Sequence, residues 1–215
     1  MEIYDTEEER LEAFKRWWKE SGKSIIMGLA VGFAVILGWN YWQDHRKDQA
    51  AQASVLYDQL LKAVEADQKD TAEKLAERLQ KQFDGTEYAL YGELFRAKLK
   101  VQQGDFTAAK EILKKIAASS NPELKNVATL RLVRLMMANG EYEQGLQLIA
   151  GVDAAETSSF AGAYDELVGD LYVALDRLDE ARTYYQKALR NGYQSPLLQL
   201  KINDLTAPEQ LENQK

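Results

Sequence analysis

Twenty consecutive residues without a charged side chain constrain this chain more than any other feature. The segment 24–43 reads SIIMGLAVGFAVILGWNYWQ, and as a helix it would be about 30 Å long, the thickness of bilayer hydrocarbon. A charge at the centre of such a helix costs about 2.5–3.5 kcal/mol. Aromatic side chains suited to membrane interfaces flank the segment: Trp17, Trp18, Trp39, Tyr41 and Trp42. A buried core helix is the alternative, but we predict a transmembrane helix over residues 24–43.

The distribution of lysine and arginine predicts the orientation of this span. Five basic residues precede it and three occur in the twenty residues after it: Arg10, Lys15, Arg16, Lys19 and Lys23 against Arg46, Lys47 and Lys62. Basic residues near a span favour the cytoplasmic side. A cleaved signal peptide is the rival, but the segment before the span is long and acidic, and no small-residue cleavage site follows. We predict a bacterial inner-membrane protein with a cytoplasmic segment 1–23 and everything after residue 43 in the periplasm.

The first segment has a helical pattern of its own. Leu11, Phe14 and Trp18 share one helix face, and Lys15, Arg16 and Lys19 flank that face. A short helix with this pattern suits the headgroup layer of the cytoplasmic leaflet. We predict such an interfacial helix before the span.

The side-chain inventory argues against catalysis. The chain has no cysteine, and its one histidine, His45, lies directly after the predicted span between Asp44 and Arg46. Cys-His pairs and histidine metal sites are therefore missing, and no glycine-rich phosphate loop is present. A net charge of −7 without a basic stripe disfavours nucleic acid. A carboxylate pair stays open, but we predict a protein that is not an enzyme, with no catalytic, cofactor-binding or metal-binding residues and no small-molecule substrate.

After the span, apolar residues recur at helical spacing almost to the end of the chain. Asn121-Pro122 and Ser195-Pro196 each read as a cap residue followed by proline at the first helical position. Pairs containing glycine mark helix ends at Gly85, Gly104 and Gly140, among others. We predict helices at 45–66, 69–83, 86–103, 105–118, 121–139, 141–150, 158–175, 177–190 and 195–204. The fold class is all-α, with a domain over 44–205 and a flexible tail over 206–215.

A repeat of about 36 residues organises these helices. Small residues recur near the start of every second helix, at steps of 37, 36 and 36: Ala72, Ala109, Gly145 and Ala181. This period is typical of paired-helix repeats that bury their apolar faces by stacking on neighbours. The last unit resembles a tetratricopeptide repeat closely, with Gly169 and Tyr172 on its first helix and Ala181, Tyr185 and Ala188 on its second. We predict an α-solenoid in which Ala181 lies opposite Gly169 at the closest helix crossing.

The complete layout narrows the field further. The stretch LEAFKRWWKESGKSIIMGLAVGFAVILGWNYWQ, followed by a repeat domain, resembles the bacterial YfgM family over nearly the full length. Members of this family are ancillary subunits of the SecYEG translocon. The resemblance implies association with that translocon and with a membrane-anchored periplasmic chaperone of the peptidyl-prolyl isomerase type. It also implies a link to stress signalling through the cytoplasmic segment. Unfolded secreted clients are the partners expected under the alternative holdase hypothesis.

The repeat register predicts a partner-binding surface. On the concave side it places aromatic and basic anchors: Tyr57, Tyr91, Phe95, Arg131 and Arg134. Leu94, Leu130 and Leu167 share the same register, but we expect them in the core between repeats. Gly28 and Gly32 form a GxxxG step at which another transmembrane helix could approach closely. The predicted function is a non-catalytic, membrane-anchored interaction scaffold; the alternatives are a holdase for unfolded chains and an assembly factor for an unrelated envelope complex.

Overall fold

The computed structural model describes residues 7–153, 157 and 159–212. These residues form nine helices, and no strand occurs among them. The helices are α1 (Glu7–Glu65), α2 (Lys69–Gln82), α3 (Glu87–Gln102), α4 (Phe106–Ala117), α5 (Pro122–Ala138), α6 (Tyr142–Ala150), α7 (Ala161–Ala174), α8 (Leu178–Arg190) and α9 (Pro196–Glu212). The predicted all-α fold is confirmed, and the bounds from α2 to α8 agree with the predicted ones to within three residues. Residues 1–6 and 213–215, parts of the predicted cytoplasmic segment and flexible tail, lie outside the described residues.

The chain divides into two units, Met1–Gln52 and Ala53–Lys215. In the first unit, α1 continues through residues 23 and 43 without a break. The separate interfacial helix predicted before the span is therefore wrong. The residues between Glu7 and Lys23 include no proline and only one glycine, Gly22, so nothing in the backbone ends the helix before the apolar segment.

The apolar part of α1 is long and apolar enough to cross a membrane. Its best window of 18 residues has a mean hydropathy of 1.7, and only 6% of that window is buried within the protein. Large side chains stand exposed along it, such as Phe33, Leu37 and Trp39. A helix of a soluble core would be mostly buried, so this segment is a candidate membrane span.

In the second unit, helices pack as successive pairs: residues 53–65 of α1 with α2, α3 with α4, α5 with α6, and α7 with α8. The recurring small residues lie near the start of the second helix of each pair. Ala72, Ala109 and Ala181 are at most 1% exposed, and Gly145 is buried. The backbone N–H of each donates to the carbonyl four residues earlier, at 2.9–3.1 Å. The predicted repeat period is therefore confirmed, because each copy places one small residue at the same buried point.

The predicted cap at Asn121 and the predicted turns at glycine are also confirmed. The Asn121 side chain accepts from the backbone N–H of Leu124 at 3.0 Å, with Pro122 opening α5. Gly85, Gly104, Gly140 and Gly192 have φ between 75° and 85°, a left-handed conformation that glycine adopts without steric cost.

The closest approach in the last pair differs from the predicted one. A Cβ on Gly169 would overlap the ring of Tyr185, whereas we predicted Ala181 at this point. Ala181 is fully buried in the same cluster, together with Tyr185, Ala188 and Leu198. Glycine at position 169 therefore makes room for a large aromatic ring and not for a second small residue.

A polar cluster joins α9 to α7. Lys201 on α9 donates to Glu166 at 3.0 Å and to Asp170 at 2.8 Å, and the Tyr185 hydroxyl donates to Asp170 at 2.8 Å. Burial alone would lower the pKa of Lys201, but its hydrogen bonds to the two carboxylates outweigh burial and raise it. Because Glu166 is buried, its charge depends on this lysine for compensation. We call these four residues, 166, 170, 185 and 201, the Lys201 cluster.

Candidate partner-binding groove

A cavity of about 330 Å³ lies between the first helices of the first three pairs. Four side chains spaced along α3 line it, together with one residue from α1 and one from α5. Positions three to four apart on a helix share a face, which is how α3 presents several side chains to one space. The lining residues are Tyr57, Tyr91, Leu94, Phe95, Lys98 and Arg131.

Aromatic rings form one wall of this cavity. The Tyr57 ring centroid is 5.7 Å from that of Tyr91 and 6.2 Å from that of Phe95, with the planes tilted by about 50°. Tyr88 packs against Tyr57 from behind at 5.7 Å. These separations are in the favourable range for aromatic pairs. Burial raises the pKa of both Tyr57 and Tyr91.

A second cavity of about 350 Å³ continues from the first. It is lined by Leu94, Ala97, Lys98, Val101, Gln102, Leu113, Arg131 and Leu135. Leu94, Lys98 and Arg131 line both cavities, so the two lie side by side, and together we call them the α3–α5 groove. One end of this groove is aromatic and the other aliphatic, with the two basic side chains between them.

The structure brings together four of the five predicted anchors. Tyr57, Tyr91 and Phe95 are partly buried in the groove wall, and Arg131 is exposed at its edge. Arg134 is also exposed but lines neither cavity; its charge acts instead on Tyr193, near the C-terminal end of the domain. Leu94, Leu130 and Leu167 are at most 8% exposed, so their expected place in the core is confirmed.

The sequence analysis did not predict Lys98 as a residue of the groove. It lies seven residues after Tyr91, two turns along the same face of α3, and this spacing is the signal that could have found it. Lys98 is exposed, and neither it nor Arg131 forms an ion pair with another described residue. Other basic residues of α3 are paired: Arg96 with Glu93 at 2.7 Å and Lys100 with Glu73 at 2.7 Å.

A second groove of about 410 Å³ lies between α6, α7 and α8. Its basic residues have internal partners: Lys187 with Asp165 at 2.8 Å and Arg177 with Glu180 at 2.7 Å. Both cations also lie over tyrosine rings, Arg177 over Tyr172 and Lys187 over Tyr184. Both basic residues of this groove are therefore already paired with carboxylates of the domain.

Two further predictions concern other parts of the chain. At Gly28 and Gly32, a Cβ would meet no described atom within 4 Å, so this face of α1 is open. Close packing of a partner helix against it stays a prediction. Among the described residues, no group of three or more His, Cys, Asp or Glu is placed to hold a metal ion.

Comparison with known proteins fits this architecture. The family model described as a tetratricopeptide repeat-like domain matches residues 15–207. A protein of Aggregatibacter actinomycetemcomitans is 33% identical over 202 residues, covering 93% of this chain and 97% of that protein. Relatives from Haemophilus influenzae and Escherichia coli are 31% and 27% identical and cover 97% and 100% of their own lengths. All three relatives are named ancillary SecYEG translocon subunit.

The chain belongs to the tetratricopeptide repeat-like family and to the family of the ancillary SecYEG translocon subunits. The resemblance to the YfgM family found in the sequence is thereby confirmed. The match begins at residue 15, so it includes the apolar segment of α1 as well as the repeats. Stacked repeats create extended concave surfaces, and the α3–α5 groove lies between the first helices of three successive pairs.

Proposed function

We propose that this protein is a membrane-anchored, non-catalytic scaffold of the SecYEG translocon that binds segments of partner proteins in the α3–α5 groove. The observation that carries the proposal is the α3–α5 groove, with its aromatic wall and two cations that have no ion pair among the described residues. Partly buried aromatic side chains and arginine are the residue types that dominate binding energy at protein interfaces. The names of the relatives support the translocon as the assembly in which this binding occurs.

The proposal includes an orientation. The excess of lysine and arginine before the span supports a cytoplasmic N-terminus, which leaves the repeats in the periplasm of the bacterial inner membrane. The absence of cysteine from the sequence is compatible with an oxidising compartment. The partner implied by the family resemblance is a membrane-anchored chaperone of the peptidyl-prolyl isomerase type, which would receive secreted clients beside the translocon.

Accessibility labelling tests the orientation directly, because the chain has no native cysteine. In spheroplasts, an impermeant maleimide should label Ser120→Cys but not Glu12→Cys, and both should react after the membrane is dissolved. The reverse pattern would place the repeats in the cytoplasm and exclude the proposed periplasmic role.

Gentle-detergent purification with mass spectrometry tests the binding surface. The double variant Arg131→Glu, Arg134→Glu should keep its helical signal and melting temperature, since both side chains are exposed, but lose periplasmic partners. The matched control is Lys115→Glu, Arg190→Glu, which reverses two exposed charges on α4 and α8 and should keep those partners. Partners retained by both variants would move the binding site to another face or to the Gly28/Gly32 step.

A holdase role is the second candidate, favoured by the apolar lining of the groove from Leu94 to Leu135. A holdase should suppress aggregation of unrelated unfolded proteins at stoichiometric concentration, whereas a scaffold should not. An assembly factor for another envelope complex would instead purify with that complex and without the translocon.

A further inference from the structure

We infer that the α3–α5 groove selects a segment in which an apolar or aromatic side chain lies about three residues from acidic side chains. This inference rests on the proposed function and names the chemistry of the bound segment. It depends on two observations: the order of side chains along α3, and the two cations that line the groove without an ion pair among the described residues.

The order of side chains sets a direction along the groove. Glu87, Tyr91, Phe95 and Lys98 follow one another along one side of α3, so this side runs from acidic through aromatic to basic. Glu87 is already engaged, because its carboxylate accepts from Asn121 at 2.8 Å and acts on the hydroxyl of Tyr91. Carboxylates of a bound segment are therefore repelled from the Tyr91 end and attracted to the Lys98 end.

The distance between these ends gives the spacing in the bound segment. Seven residues separate Tyr91 from Lys98, which corresponds to about 10 Å along a helix. An extended chain covers that distance in about three residues. When an apolar side chain of the bound segment packs against Tyr57 and Tyr91, a carboxylate three residues from it therefore reaches Lys98. Arg131 faces that carboxylate from α5.

The charge contrast identifies the polar part of the segment as acidic. The protein has a net charge of −7, and its partly buried basic residues pair with its own carboxylates, as Lys100 does with Glu73 and Lys110 with Glu141. Lys98 and Arg131 are exposed and line the groove itself, and neither has an ion pair within the described part of the chain. Unpaired charge beside an apolar cavity provides electrostatic complementarity to a partner of opposite sign.

A pair of synthetic peptides of equal length tests the inference on the full-length protein in detergent. Both carry the same phenylalanine in a polar, uncharged sequence; one has Asp and Glu three residues to either side of it, and the other has Lys and Arg at those positions. Fluorescence anisotropy should show at least about tenfold tighter binding of the acidic peptide, and added salt should reduce the difference.

Matched substitutions assign the effect to the groove. Lys98→Gln and Arg131→Gln should each weaken binding of the acidic peptide by about five- to tenfold. Lys115→Gln and Arg190→Gln, which neutralise exposed cations on α4 and α8, should leave it unchanged. Tyr57→Ala should weaken binding of both peptides, since it removes part of the apolar wall they share.

Three results would overturn the inference. Equal or tighter binding of the basic peptide contradicts acidic selection. Unchanged binding in both Lys98→Gln and Arg131→Gln places the acidic contacts outside the groove. If neither peptide binds while the protein still purifies with the translocon, the inference is wrong but the scaffold function stands. If the native protein does not purify with the translocon, the proposed function itself is wrong.

Discussion

The two ends of the repeat domain use charge in opposite ways. At the C-terminal end, the Lys201 cluster joins α9 to α7, and each of its charged groups has a partner within hydrogen-bond distance. In the α3–α5 groove, Lys98 and Arg131 lie beside aromatic and aliphatic side chains without a carboxylate partner among the described residues. The first arrangement stabilises the fold, and the second leaves charge free for another molecule.

This difference in charge pairing accompanies a difference in covering: α9 covers the last repeat, whereas the α3–α5 groove stays open. A solenoid must cover its last repeat, because each repeat buries its apolar face only against a neighbour. Leu198 of α9 is fully buried and Lys201 compensates the carboxylates of α7, so α9 covers the last pair with both apolar and polar contacts. The groove needs no such cover if its surface is used for binding.

Overpacking the closed end has the largest effect we predict. Gly169→Leu would force a branched side chain into the ring of Tyr185 and should cost roughly 3 kcal/mol, or about 6–12 °C in melting temperature. Gly151→Ala is the matched control, because its new Cβ would make only ordinary contacts of 3.6 Å and longer. Thermal melts followed by circular dichroism measure both; an unchanged melting temperature for Gly169→Leu would contradict the described packing of α7 on α8.

A second pair of variants compares the two ends directly. Lys201→Met leaves Glu166 and Asp170 without their cation and should destabilise the protein by about 2 kcal/mol. Lys98→Met should change stability by less than about 0.5 kcal/mol, because that exposed lysine has no ion pair to lose. Equal losses of stability in denaturant melts would show that the two cations have the same role.

The repeats and their boundaries could be predicted because local chemistry decides them. Asn121 caps α5 whatever its surroundings, and the period of Ala72, Ala109, Gly145 and Ala181 marks the point where each second helix begins. The repeat register also predicted the aromatic anchors of the groove. Tyr57, Tyr91 and Phe95 have the helix spacing that places them on the first helices, and the structure brings their rings together.

The errors arose where tertiary contacts decide. The partner of Gly169 depends on how far α8 is rotated against α7, and a sequence pattern of small residues cannot distinguish Ala181 from Tyr185 at that crossing. Whether a lysine of α3 has an ion-pair partner depends on which carboxylates other helices bring close. The sequence alone therefore could not show that Lys100 pairs with Glu73 and that Lys98 has no such partner among the described residues. The continuity of α1 is an error of another kind with a local cause, because no helix-breaking residue precedes the apolar segment.

Two tyrosine variants should differ by a smaller amount in the free energy of unfolding. Tyr185→Phe removes a hydrogen bond of 2.8 Å to Asp170 and should cost about 1 kcal/mol. Tyr57→Phe should be close to neutral, because the Tyr57 hydroxyl has no hydrogen-bond partner among the described residues. Denaturant melts that rank the two variants in the opposite order would contradict the assignment of polar stabilisation to the C-terminal end.

The smallest effect we predict is confined to alkaline solution. Burial raises the pKa of five tyrosines above the ordinary value of 10.0, most strongly for Tyr185, where the Asp170 hydrogen bond adds to burial: Tyr57, Tyr91, Tyr164, Tyr185 and Tyr193. The pKa of Lys201 is also raised, as its carboxylate partners outweigh burial. In each case the unfolded chain releases its proton at lower pH than the folded protein, so this stability is complete below about pH 10 and is lost as pH rises further.

The dependence of melting temperature on alkaline pH therefore tests the comparison once more. Wild-type stability should fall steadily above about pH 10, and Tyr185→Phe should start lower but fall less steeply, because it removes the tyrosine with the strongest shift. Tyr57→Phe should retain most of the wild-type slope, since the shift of Tyr57 arises mainly from burial in a groove wall that is still partly exposed. A wild-type slope in Tyr185→Phe would mean that the Lys201 cluster does not hold the phenol of Tyr185 in its protonated form.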